Sequence, residues 1–146
     1  MSVEEGAVLR PRKVSRYSLE ARVSALPSLR EFMRVTLKPF DPIGPHVSDI
    51  VFATHEAAKN AVVHNPGSDL SVEVVCSVMP DSVVVEVNDR GSGFDARSLP
   101  PSQPEPEASA GRGMFIIYSL MDEVKTKSGK AGTRVRMMKR FAPSLS

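Results

Sequence analysis

With 146 residues, the chain has room for one ordinary domain and not comfortably for two. A hydrophobic share of 41% and a charged share of 25% are those of a soluble globular protein, so a single core needs no disulfide framework. The formal charge of +2 is slight, and the basic residues form no aromatic-spaced stripe, so no direct nucleic-acid role is expected. No apolar stretch approaches the ~20 residues of a membrane helix. The N-terminus lacks the apolar core of a signal peptide, and a cytoplasmic protein without membrane association is expected.

Residues 1–15 are polar and basic, with Arg10, Arg12 and Lys13 in a segment of no sustained period, and read as a flexible N-terminal arm. From Arg16 to Arg22, Tyr17, Leu19 and Ala21 alternate with polar neighbours, which predicts a short strand. Leu26, Leu29, Phe32, Met33 and Leu37 follow helical spacing, with Pro27 tolerated in the first turn. The segment from Pro39 to Pro45 reads as a loop. A second helix is predicted from about His46 to His64, stopped by Asn65-Pro66-Gly67. Two β-branched strands, roughly 70–79 and 82–89, are spaced for an antiparallel hairpin.

Residues 94–110 carry four prolines and little that is apolar, and a loop this long in a compact domain is usually functional or disordered. A third helix is expected from about Arg112 to Met121, then strands near 123–128 and 131–139. The order β-α-α-β-β-loop-α-β-β predicts an α+β fold: a two-layer α/β sandwich, with helices on one face of a mixed sheet. The domain is expected over 16–141, with a C-terminal tail at 142–146. Cys76 sits in an alternating apolar run and reads as a buried structural thiol.

On the second helix, Val47, Ile50, Val51, Thr54, Ala58 and Ala61 form a stripe that would press on the sheet. Glu56 and Asn60, at i and i+4, share the other side. Phe52, Ala53 and Val63 lie there too, and a helix apolar nearly all round is usually covered. The carboxylate and amide are therefore expected to face a cavity rather than open water. The three histidines, His46, His55 and His64, do not share one face of this helix, so no metal cluster is expected.

The hairpin gives an independent pointer. Val83, Val85 and Val87 alternate with Val84, Glu86 and Asn88, and Asp89 falls in phase with the buried set. A carboxylate aimed into the helix layer is costly unless something donates to it; a turn cap or an arginine pair would also serve. Gly91 and Gly93 follow, where backbone can approach a ligand closely. Gly111-Arg112-Gly113-Met114 stands where the proline-rich loop meets a helix, whose free amides and positive end suit a phosphate. Thr133, after Gly132, is in phase with Val135 and Met137, so its hydroxyl points inward as a ligand group or as a satisfied strand threonine.

The ordered set Glu56-x-x-x-Asn60, Asp89-x-Gly91-x-Gly93, Gly111-x-Gly113 and Gly132-Thr133 resembles that of the GHKL ATPases, the superfamily of gyrase, MutL and the histidine kinases. More narrowly, "HEAAKNAVVHN", "VEVNDRGSGFD" and "GRGMFIIYSLMDEVKTKSGKAGTRVRM" are similar to the anti-sigma factor serine kinases of the RsbW and SpoIIAB type. The resemblance covers about residues 17–140 and implies the Bergerat, histidine kinase-like ATPase fold. It implies ATP and Mg²⁺ as ligands, with Asn60 holding the metal on the phosphates and Asp89 accepting from the adenine amine. Gly91 and Gly93 would let backbone reach the nucleotide, and residues 94–113 would form a lid. Gly111, Arg112, Gly113, Met114 and Thr133 complete the implied nucleotide-binding set. Glu56 is the implied general base, acting on a hydroxyl of a STAS-type anti-anti-sigma partner.

The function implied is a serine/threonine-protein kinase that also sequesters a sigma factor, working as a homodimer. The alternative is a non-catalytic regulator that binds ATP and acts by protein contact alone. A detached histidine-kinase catalytic domain would need a phosphoacceptor helix pair that this sequence does not supply. No P-loop and no eukaryotic-type kinase pattern is present.

Overall fold

The computed structural model describes residues 10–64, 71–89, 109–129 and 132–141. Strand β1 spans Lys13–Glu20. Helix α1 (Leu26–Leu37) and helix α2 (Val47–His64) follow, then strands β2 (Ser71–Val78) and β3 (Ser82–Asp89). Helix α3 (Ser109–Leu120), β4 (Glu123–Gly129) and β5 (Gly132–Arg140) complete the chain. The element order is the one the sequence predicts. Short 3-10 turns at Val23–Ala25 and Asp41–His46 were not foreseen; the second occupies the proline-rich segment read as a loop. Strand β1 also starts before Arg16, inside the segment expected to be an arm.

The strands form one five-stranded sheet in the order β1-β2-β3-β5-β4. Every paired neighbour is antiparallel, which corrects the expected mixed sheet. The reason is topological. Strands β3 and β4 do run parallel, joined across α3, but β5 folds back from β4 and takes the place between them. The crossover therefore exists without a parallel hydrogen-bonded pair.

Alternation assigns the two faces. On the inner face, Leu19, Val72, Val74, Cys76, Val78, Val83, Val85, Val87, Val135 and Met137 are buried beneath the helices. Burial pushes the Cys76 thiol up to about 12, which is the inert structural thiol expected. Helix α1 supplies Leu26, Leu29, Met33 and Leu37 to the same core. Its apolar stripe is thus core packing rather than an open surface, and Phe32 stacks on Tyr17 with ring centroids 4.7 Å apart. Helix α2 is central: it packs on β3, β2 and β5 below and is flanked by α1 and α3. Lys139, inward from β5, ties this layer together. Its Nζ donates to the Leu120 carbonyl at the end of α3 (2.6 Å) and lies 3.5 Å from Asp49 in the first turn of α2.

The outer face mixes charged side chains with Val14, Val75, Val84 and Met138. Arg16 pairs with Glu73 at 3.7 Å, Arg136 with Glu86 at 3.6 Å, and Arg134 Nε donates to Asn88 Oδ1 at 3.1 Å. Among the described residues, no helix is long and apolar enough to cross a membrane.

Candidate active site

Helix α2 carries Glu56 and Asn60 one turn apart. Glu56 is buried at 6% exposure, while Asn60 is half-buried. The covered helix side expected from the sequence is real at Glu56 and Ala53 but not along the whole line. Phe52 and Val63 are about half exposed, at 46% and 51%, which corrects the inference that an apolar surround means cover. Cover comes instead from the flanking helices and from Lys59, whose Nζ lies 3.4 Å from Glu56 Oε1. Thr54, on the sheet side, is satisfied within the helix by donating to the Ile50 carbonyl at 2.8 Å.

One contact was missed at the sequence level. Arg30 of α1 donates from Nη1 to Nδ1 of His55, 3.1 Å away and adjacent in sequence to Glu56. A guanidinium can only donate, so Nδ1 must accept and the imidazole is neutral with its proton on Nε2. Burial, with the Arg30 charge second, holds the His55 pKa below 6.5; Glu56 opposes and Lys59 reinforces. Nothing in either local sequence marks this pair, because it exists only through the packing of α1 on α2.

Asp89 ends β3 on the inner face and is buried at 6% exposure, in the phase predicted from Val83, Val85 and Val87. It stands between Val72 of β2 and Thr133 of β5, directly opposite each. The sheet thus brings Asp89 and Thr133 together. The Thr133 hydroxyl lies 2.9 Å from that of Ser128, so it is partly engaged within the β4–β5 hairpin. Gly132, just before it, has φ 127°, a conformation that L side chains rarely adopt. That gives the Gly132-Thr133 pair a backbone reason the sequence did not disclose.

Helix α3 begins at Ser109, ahead of the predicted start at Arg112. Gly111, Arg112 and Gly113 therefore lie inside its first turns rather than before them. The amide of Gly111 still belongs to the first turn, whose N–H groups lack intrahelical acceptors. Met114 is half-buried and packs against the core. Gly91, Gly93 and residues 94–108 lie outside the described residues.

The arrangement fits a nucleotide in three respects. A buried carboxylate on the inner face can accept from an amine-bearing ring. A helix start on the element packed against α2 can face an anion. An amide oxygen at Asn60 is a hard ligand of the kind Mg²⁺ takes. Among the described residues, no three His, Cys, Asp or Glu side chains gather to hold a metal by themselves.

The model of the histidine kinase-like ATPase domain matches residues 19–139. The chain is similar to the anti-sigma F factor of Clostridium acetobutylicum, 33% identical over 135 residues, covering 85% of this chain and 94% of the relative. It is also similar to the anti-sigma F factor of Anoxybacillus flavithermus, 31% identical over 141 residues, covering 88% and 96%. Among solved structures, the RsbU and RsbW domains of a Mycobacterium tuberculosis protein superpose with a TM-score of 0.68 at 23% identity. That match covers 89% of this chain and 32% of the mycobacterial one, and at this identity it speaks for the fold.

Proposed function

The chain belongs to the histidine kinase-like ATPase family, alongside the anti-sigma factors, and on that premise we propose that it is an ATP-dependent anti-sigma factor with serine/threonine-protein kinase activity. The observation that carries the kinase reading is Glu56: a buried carboxylate one helical turn before Asn60, on the helix packed against both β3 and α3. In this reading Glu56 takes the proton from a serine or threonine hydroxyl of a STAS-type partner. Asp89 holds the adenine amine, with Thr133 beside it, and Gly91 and Gly93 allow close backbone approach. Gly111, Arg112 and Gly113 meet the phosphates, and Met114 packs at their base. ATP would supply its γ-phosphoryl group to that hydroxyl oxygen, with ADP as the leaving group, and Asn60 would hold the Mg²⁺ that neutralises phosphate charge.

The sigma factor is proposed to be held by contact, in the cytoplasm where transcription takes place. The names of the relatives support this, as does the near-complete coverage of their length. Homodimerisation belongs to the same proposal and is read out by sedimentation.

One contact favours a second reading, a non-catalytic ATP-binding module. Glu56 is already engaged at Oε1 by the Lys59 ammonium, 3.4 Å away. Phosphate transfer from labelled ATP to a co-expressed STAS partner separates the two. The kinase reading expects transfer by the wild type and a fall of roughly a hundredfold or more in Glu56→Ala, with ATP binding retained. A wild type that binds ATP and never transfers supports the module. Equal transfer by a Glu56→Ala variant that binds ATP normally removes Glu56 as the base.

A further inference from the structure

The outer face of the sheet holds a charge pattern that the sequence conceals. Register places Lys125 directly opposite Arg136, and Lys127 directly opposite Arg134. Like charges in directly opposed positions destabilise a sheet, and here two such pairs adjoin. Lysines on an edge strand commonly guard against aggregation, which accounts for β4 alone. It does not say what meets the two ammonium groups, since the β5 arginines behind them are engaged by β3.

Arg136 and Arg134 of β5 are answered one strand away by Glu86 and Asn88, and Arg16 of β1 by Glu73. Among the described residues, the ammonium groups of Lys125 and Lys127 have no hydrogen-bond or ion-pair partner, and β4 is the last strand of the sheet. The acceptors that would complete both rows belong one strand further out.

We propose that the β4 edge is a docking site for an extended acidic segment of a partner protein, which adds as a further strand and sets carboxylates beside Lys125 and Lys127. Main-chain hydrogen bonds to the open edge supply affinity, and alternate acidic side chains, about 4.8 Å from the β4 row, supply selectivity. A polynucleotide fits less well. The cation block spans two rows, about 7 Å along the strands, and no described residue of this face is aromatic to receive a base. A second copy of the chain brings one carboxylate on this face of β4, Glu123, beside the same two lysines, and matches the charge poorly. The site lies on the sheet face away from Glu56 and Asp89, so it stands independently of the nucleotide chemistry.

The test uses the full chain and a fluorescent short peptide alternating Glu with Val. Probes alternating Lys with Val, and a single-stranded oligonucleotide of equal charge, are run beside it. Saturable binding of the Glu peptide is expected, with slowed exchange of β4 amides on titration. K125E/K127E is expected to weaken it by roughly tenfold or more, and K13E, at the opposite edge, to leave it unchanged. The lysine substitutions are surface changes, and an unchanged circular dichroism spectrum checks the fold. Absence of Glu-peptide binding overturns the proposal, as does binding indifferent to K125E/K127E or without β4 protection. Preference for the oligonucleotide assigns the patch to nucleic acid instead. A wild-type dimer dissociated by K125E/K127E assigns it to a second copy. Either result removes the acidic-peptide site.

Discussion

Asp89 and Thr133 face one another directly across the β3–β5 ladder, the first buried and the second tied to Ser128 at 2.9 Å. This pairing joins two motifs that helix α3 and strand β4 separate along the chain. It depends on Gly132, whose φ of 127° lets β5 start where Thr133 meets Asp89. Gly132→Ala is therefore expected to destabilise the chain by about 1–3 kcal/mol, read as a lowered urea midpoint. An unchanged midpoint would show that the backbone relaxes there without cost.

Lys59 and Glu56 form an ion pair in which the carboxylate is buried and the lysine partly exposed. Removing the cation leaves a buried charge without its partner, so Lys59→Met is expected to cost about 1 kcal/mol. Glu56→Gln combined with Lys59→Met should recover part of that loss, because no charge is then stranded. A double variant less stable than the sum of the single ones would contradict the pairing.

The neutral state of His55 gives a pH dependence with a definite sign. Its folded pKa lies below 6.5, so on acidification the unfolded chain takes up the proton first. Its contribution to stability is whole above about pH 6.5 and is lost as the pH falls from there through the folded pKa. The charged groups around it are Arg30, Glu56 and Lys59. His55→Gln keeps an acceptor for Arg30 and cannot charge. Urea midpoints should therefore fall less between about pH 7.5 and 5.5 for the variant than for the wild type. Parallel slopes would show that His55 does not titrate differently on folding.

Much of this was legible in the sequence, and the exceptions have physical causes. Strand phase placed Asp89 on the inner face because alternation has a period of two and Val83, Val85 and Val87 fix it. Helical phase put Glu56 and Asn60 together for the same kind of reason. Phase does not say what covers a face, so Phe52 and Val63 could be misread as buried when they lie half in water. Nor does it give strand order. The antiparallel sheet arises from β5 inserting between β3 and β4, and the Lys125–Arg136 and Lys127–Arg134 oppositions exist only once that register is known. The Arg30–His55 bond is likewise a product of helix packing and leaves no local trace.

The central claim is a nucleotide pocket with Asp89 as its recognition carboxylate, and calorimetric titration of MgATP into the wild type and Asp89→Asn tests it most directly. The account predicts binding by the wild type and a loss of roughly a hundredfold in the variant, with the fold intact by circular dichroism. Equal affinity in a folded Asp89→Asn protein would contradict it.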